Sequence, residues 1–306
     1  MNTKESLIKN LKDIGLEHGD MVFLRISYKS LGETEGGPQT FIDALLSVVG
    51  DEGTILATAF PKRYKTAFRF FHGDKIYRKG IRPITGVIPF FMVNNPNAEI
   101  SEHPISPYVA IGYNAKEIIA YHTPEKGSYD ILEYMLKNYR PKCLRIGGDV
   151  LDGTTHLAFS EALTKANQYQ RRISYGIYYV NAEGKKEWKV RTVSAFCRKG
   201  FEEFFYKYLY RDVVIKEGKV GIGEAMLTDM QTSCELEKKF INSEPWILSC
   251  QDEDCTCCRI SFSYSDTSFL SFYARQFFKL FSHDWKKVFW RLKETLETYF
   301  MGIKCK

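Results

Sequence analysis

Lys142-Cys143-Leu144-Arg145-Ile146, followed by Gly147-Gly148-Asp149-Val150-Leu151-Asp152-Gly153-Thr154-Thr155-His156, is the stretch from which the architecture can be read. Its first five residues form a short apolar run that reads as a buried strand, and the glycines and aspartates after it are turn chemistry. From Thr155 the pattern becomes helical, with Leu157, Ala158 and Leu163 apolar and Glu161 among them. A strand that passes through a glycine turn into a helix is the building unit of an α/β sheet, where ligands sit at the carboxyl ends of strands. His156 therefore stands where a base is useful, and imidazole exchanges a proton near neutral pH unaided. The same segment serves equally well as a helix cap whose histidine only packs.

Outward from this point the chain continues in the same style. Leu7, Ile8, Leu11 and Ile14 repeat at helical spacing behind Thr3, a suitable N-cap. Met21 to Ile26 and Thr54 to Phe60 read as buried strands, and Pro38 opens a helix through Val49 with Phe41, Leu45 and Val48 on one face. Residues 61–82 form a long basic and aromatic connection, expected to run over the surface. A helix is expected over Thr85–Val93, a strand near Tyr108–Ile111, and helices near Ala115–Tyr121 and Tyr129–Asn138. Ile173–Val180 and Trp188–Val193 flank Asn181-Ala182-Glu183-Gly184 as a hairpin, and helices follow near Phe201–Tyr210 and Glu224–Ile241.

With 306 residues and 44% hydrophobic content, the chain can bury a full core, and 15% aromatics argue against disorder. Met1 to Asn10 is polar and lacks the apolar stretch of a signal peptide, and no run of 18 uncharged apolar residues predicts a transmembrane helix. The eight cysteines are irregularly spread, with Cys143 and Cys197 in apolar surroundings, so reduced thiols in a cytoplasmic setting are expected.

Several motifs occur in a fixed order: Ser27-Tyr28-Lys29-Ser30-Leu31-Gly32, Gly36-Gly37-Pro38, Ala44-Leu45, Val49-Gly50 and Gly53-Thr54, then Ser101-Glu102-His103-Pro104, Ala110-Ile111-Gly112 and Gly127-Ser128. Together with Thr155-His156 they resemble the aminoglycoside N3-acetyltransferase family, over about residues 5–245. The resemblance implies a three-layer α/β/α fold, with residues 1–250 as the acetyltransferase-like domain, and acetyl transfer from acetyl-CoA to an amine. Such a transfer needs a coenzyme site, a base for the ammonium proton and donors for the thioester oxyanion. The resemblance places the coenzyme on the loop Ser27, Ser30, Leu31, Gly32, Gly36 and Gly37, with Ser106 nearby. Hydroxyls, backbone N–H groups and the helix start at Pro38 suit a pyrophosphate, and Gly36-Gly37 lets the backbone come close. His156 matches the family's catalytic histidine, Thr155 is a donor beside it, and His103 matches a second family histidine whose part is catalytic or architectural.

The departures bear on mechanism. Phe159 stands where the family places a carboxylate, and Glu161, five residues past His156, lies roughly 140° further round a regular helix. Glu161 orients His156 only in a distorted helix; Asp152 or Asp149 can substitute. Arg25 and Ile26 replace the usual His-Ser, Ile100 replaces an Arg, and Pro107 stands at a coenzyme serine beside Ser106.

Residues 251–306 change character. From Arg259 to Lys306 nine Lys or Arg face four Asp or Glu, and thirteen aromatics are interleaved. Such a helix fits an anionic membrane surface at the inner face of the membrane, and fits equally a solvated helix packed on the domain, the commoner case. No nucleic-acid motif is present. Cys250, Cys255, Cys257 and Cys258 are thiols, but their spacing within one short segment is poor for a closed tetrahedral metal site, and a surface turn without metal is the expectation. The net charge of +6 and the cations of 61–82 disfavour a polycationic acceptor. The expected function is therefore N-acetylation of an amino sugar, a surface-polysaccharide precursor in preference to an antibiotic, with a homodimer as a candidate assembly. The alternatives are an aminoglycoside-resistance acetyltransferase and a catalytically inactive binding or scaffold protein.

Overall fold

The computed structural model describes residues 1–148, 173–193 and 197–250, together with 252, 255, 278, 285 and 289. Helix α1 (Lys4–Asp13) is capped by Thr3, whose hydroxyl accepts from the Ser6 N–H at 3.2 Å while Ser6 Oγ accepts from the Thr3 N–H at 2.9 Å. That reciprocal pair satisfies two amide donors that the first turn otherwise leaves unmet. Strand β1 (Met21–Ile26) leads through a 3₁₀ turn at Tyr28–Leu31 to α2 (Pro38–Val49) and β2 (Thr54–Thr58). After β3 (Tyr64–Lys65) come α3 (Val87–Val93), β4 (Glu99–Ile100), β5 (Tyr108–Gly112), α4 (Ala115–Tyr121), α5 (Asp130–Asn138) and β6 (Lys142–Ile146). The second half holds β7 (Ile173–Val180), β8 (Lys186–Val193), α6 (Arg198–Phe204), a π-helical turn at Phe205–Leu209, α7 (Tyr210–Val213), β9 (Val214–Val220), β10 (Gly223–Asp229) and α8 (Met230–Ser243).

Seven strands form one mixed sheet in the order β4-β5-β2-β1-β6-β10-β9. β1 runs parallel to both β2 and β6, with Phe23 opposite Leu56 on one side and Cys143 on the other; β5 and β10 are antiparallel to the strands they join. Alternation along β1 assigns the layers. Val22 and Leu24 join Leu7, Leu11, Phe41, Leu45, Ile88 and Met92 from α1, α2 and α3 on one face. Met21 and Phe23 join Ile118, Ile131, Leu132 and Met135 from α4 and α5 on the other. The sheet is thus covered on both sides, giving the three-layer α/β/α arrangement.

Two differences from the sequence expectation matter. Residues 61–82 are not merely a surface excursion. Their β3 pairs with β7, Tyr64 opposite Gly176, and makes a separate three-stranded sheet β3-β7-β8. Residues 224–229 are strand, not helix: Glu224, Ala225, Met226 and Leu227 favour helices in isolation, but the ladder to β6 and β9 overrides that preference. Among the described residues no helix is long and apolar enough to cross a membrane.

Candidate active site

Because β1, β2 and β6 are parallel neighbours, their carboxyl ends open on one edge of the sheet. The chain passes from β1 to β2 on one side and places β6 on the other, so the crevice beside β1 is a topological switch point, where open α/β sheets bind ligands. A cleft of ≈ 230 Å³ lies there, lined by Leu24, Arg25, Ile26, Ser27, Thr58, Thr85, Gly147 and Gly148. Ser27 is held in it by its own N–H, which donates to the Ile146 carbonyl at 2.9 Å, and Thr85 Oγ donates to the Thr58 carbonyl at 2.5 Å. Gly147 has φ +60°, and a Cβ there would lie 2.2 Å from Ser30 Oγ. Its lack of a side chain is what lets the β1 and β6 exits meet. Gly37, the N-cap of α2, has φ +72° with open space beside its Cα, so a ligand can approach this backbone closely.

A second polar group is built under β5. The His103 and His122 rings stack at 4.6 Å between centroids. His103 Nδ1 accepts from the Ser106 N–H at 3.0 Å and its Nε2 faces the Lys126 carbonyl at 3.2 Å, so the ring is neutral with the proton on Nε2. His122 is arranged likewise, with Nε2 3.1 Å from the Gly127 carbonyl and Nδ1 3.2 Å from Ser101 Oγ. Burial pushes His103 down to about 3, with His122 beside it adding to the effect, and burial pushes His122 down to about 4. Both nitrogens of His103 are occupied by backbone groups, and the ring does not line the cleft. Its ring nitrogens are thus engaged within the fold and not turned to the cleft.

These two rings predict an acid response. Unfolded histidine takes up a proton near pH 6.5, whereas these stay neutral in the fold until far lower pH, so the unfolded state binds more protons below pH 6.5. Stability is therefore unaffected at pH 7 and falls as pH drops through 6 and 5. About 2–4 kcal/mol should be lost between pH 7 and pH 5, measured by urea unfolding at the two values. An equal unfolding free energy at both would mean that the rings titrate normally.

Beside the cleft, two residues past Thr58 at the end of β2, Phe60 begins a basic and aromatic cradle between the two sheets. The Arg191 guanidinium from β8 lies over Phe60 and Tyr129, at 5.6 and 4.7 Å from their centroids, and donates to Ser106 Oγ at 3.2 Å and to the Tyr129 hydroxyl. Arg63 also lies over the Phe60 ring, 5.3 Å from its centroid. Its Nη1 is buried with no hydrogen-bond partner among the described residues. Burial, then the nearby charge of Arg191, lowers the Arg63 guanidinium to about 10. Among the described residues neither guanidinium makes an ion pair with a carboxylate. Two neighbouring, partly desolvated cations are costly alone and suited to an anion.

Residues 23–242 match the family model of the aminoglycoside 3-N-acetyltransferases. The chain belongs to that family. It is an N-acetyltransferase. This acetyltransferase is 28% identical over 204 residues to aminoglycoside N(3)-acetyltransferase III of Serratia marcescens, covering 62% of this chain and 75% of that one. It is 27% identical over 265 residues to the prophage-derived aminoglycoside N(3')-acetyltransferase-like protein YokD of Bacillus subtilis, covering 79% and 93%. The crystal structure of YokD superposes with a TM-score of 0.69 at 25% identity over 80% of this chain and 94% of that one. AAC-IIIb in its binary complex with CoASH superposes at 0.64, with 22% identity over 79% and 97%.

Within the acetyltransferase, the expected coenzyme residues fall into distinct places. Ser27 lines the cleft; Ser30 backs the Gly147 turn, and Gly36 and Gly37 precede α2 with positive φ. Leu31 is fully buried, and Gly32 closes the 3₁₀ turn beside Ile222. Ser106 is also fully buried, bonded to Ser128 Oγ at 3.0 Å and to Arg191, so a direct coenzyme contact through its hydroxyl does not fit this placement. His156, Thr155, Glu161 and Asp152 lie outside the described residues. Thr58, Thr85, Arg63 and Arg191 were not legible as site residues; only the basic character of 61–82 pointed toward the cradle.

Proposed function

We propose that this chain transfers an acetyl group from acetyl-CoA to an amino group of an anionic amino sugar. The observation that carries the acceptor class is the pairing of Arg63 and Arg191 over Phe60 and Tyr129 with no facing carboxylate among the described residues. A polycation meets like charge there, whereas a phosphate-linked amino sugar gains charge-assisted hydrogen bonds. A nucleotide- or lipid-phosphate-linked sugar of surface-polysaccharide assembly has this chemistry. The exposed Phe278, Trp285 and Phe289 of the basic tail suit a peripheral contact with the membrane on which such precursors are used.

The donor site is the cleft at the ends of β1, β2 and β6. Its ≈ 230 Å³ is below the roughly 300–1,000 Å³ of pockets that enclose whole ligands, so it takes a thin thioester arm, with the pyrophosphate outside it. Ser27, the Gly147-Gly148 backbone and the start of α2 supply the donors. His156 takes a proton from the acceptor ammonium, and the freed amine attacks the thioester carbonyl; as the C–S bond breaks, the second proton of the attacking nitrogen passes to the leaving thiolate, giving neutral amide and CoA thiol, and His156 returns its proton to solvent. Thr155 donates to the developing oxyanion, and Asp152 or Glu161 orients the imidazole.

The test compares kcat/KM for a nucleotide-linked amino sugar and for a kanamycin-type aminoglycoside at two ionic strengths. The anionic acceptor should be preferred, and the preference should shrink as salt screens the cradle. In Arg191→Gln the preference should fall by about 5–30-fold, from loss of one charge-assisted contact of roughly 1–2 kcal/mol. Efficient aminoglycoside acetylation at low salt would replace the acceptor assignment with the activity that the relatives' names carry. No turnover of either, with no thermal shift on adding acetyl-CoA, would favour a binding protein.

A further inference from the structure

Cys197, at the start of α6, and Cys250 and Cys255, more than fifty residues later, converge. Their three Sγ atoms all lie within 4.8 Å of one another, with Cys197 and Cys255 3.6 Å apart. Cys197 and Cys250 are buried, at 3% and 8% exposure. We propose that these thiols bind a zinc ion that clamps α6 to the segment joining the acetyltransferase core to the tail. Four thiolates about a tetrahedral zinc at 2.3 Å stand about 3.8 Å apart, so the observed separations, from 3.6 Å to at most 4.8 Å, need shifts of no more than about 1 Å. A disulfide needs about 2.05 Å between sulfurs, and the 3.6 Å pair is far from that.

The surroundings are those of a built site. The Gly200 N–H donates to Cys197 Sγ at 3.4 Å, the kind of outer hydrogen bond that supports charge on a ligating sulfur. A Cβ on Gly200 would lie 2.2 Å from the Leu248 carbonyl oxygen and 2.8 Å from the Cys250 nitrogen. The first turn of α6 is therefore pressed directly onto residues 248–250, which is what brings Cys250 beside Cys197. A turn closed by the Cys255 N–H on the Asp252 carbonyl at 3.0 Å carries Cys255 to the same point. The ligands come from two separated stretches of chain, which a closed tetrahedral site requires and which Cys250 to Cys258 alone do not provide. Cys257 and Cys258 follow two and three places after Cys255 in sequence, outside the described residues, and tetrahedral geometry leaves a fourth position to fill. Thiolates are soft donors and select zinc over magnesium or calcium. On binding, each thiol loses its proton to solvent, so zinc uptake releases protons and weakens as pH falls.

The full-length protein, purified under reducing conditions without chelator, should carry one zinc per chain by elemental analysis. Extraction with a strong chelator should lower Tm, and zinc but not magnesium should restore it. Cobalt exchanged into the site should give intense thiolate-to-metal charge-transfer absorption with the d–d bands of a tetrahedral centre. Cys197→Ser should weaken zinc binding by at least about tenfold; should that variant fail to fold, the wild-type zinc content and cobalt spectrum still decide. Zinc-free protein with reduced thiols and a Tm indifferent to added zinc would overturn the proposal. So would stoichiometric iron, or a Cys197–Cys255 disulfide in the native protein.

Discussion

Replacing His156 by Ala is expected to lower kcat by about 10²–10⁴-fold, the usual contribution of a positioned acid–base group. The affinity for acetyl-CoA should stay within a few-fold, because in the proposed mechanism the imidazole acts on the acceptor nitrogen and not on the donor. Single-turnover kinetics with saturating acetyl-CoA, alongside calorimetric titration of the coenzyme, separate the two effects. The pH profile adds a check independent of rate. The alkaline limb in kcat/KM reports the acceptor amine, while the acid limb belongs to the base and should vanish in the variant. His103 and His122, held neutral by burial, cannot supply that limb. A variant that keeps wild-type turnover at neutral pH would remove His156 from the mechanism and direct attention to the cleft residues.

The second large effect is expected at Gly147, where Gly147→Val should cost roughly 2–4 kcal/mol. A β-branched residue at φ +60° is strained, and its Cβ would stand 2.2 Å from Ser30 Oγ and 2.6 Å from Ser30 Cβ. The Ser27–Leu31 turn must then move, and Ser27 with it. Tm should drop by about 4–16 °C, and coenzyme affinity should fall more than acceptor affinity. A stable variant with unchanged coenzyme binding would show that the donor does not use this turn. Gly148→Ala, where a Cβ meets nothing within 4 Å, serves as the milder control.

The legible parts of this fold were those where local chemistry and tertiary packing agree. MVFLRI, TILAT and KCLRI are short apolar runs whose residues enter the two cores alternately, and Pro38 marks its helix start without help from elsewhere. The helix expected from Glu224 begins as strand, because residues such as Glu224, Ala225, Met226 and Leu227 prefer helix locally and only pairing with β6, distant in sequence, makes them a strand. β3 is two residues long and exists only because β7 is there to pair with it. The site divides in the same way. Ser27 and the Gly147-Gly148 turn could be found because they sit next to readable strands. Arg63 with Arg191, and Cys197 with Cys250 and Cys255, are partners across long stretches of chain, and no local pattern marks either of them. The spacing within Cys250–Cys258 says nothing of Cys197, whose sulfur only the fold brings beside Cys250 and Cys255.

The pairing of β3 with β7 also has a consequence during synthesis. Tyr64 must wait for Gly176 to be made, and at about 5–20 residues per second that interval is roughly 6–22 s. Throughout it the segment carrying Phe68, Phe70 and Phe71, three rings that remain exposed even in the finished fold, trails from the nascent chain without its strand partner. The lysines and arginines among those rings act as gatekeepers against self-association. The small sheet thus closes long after β1, β2 and β5 are made, and a translational pause before the hairpin would lengthen the segment's exposure to chaperones and proteases.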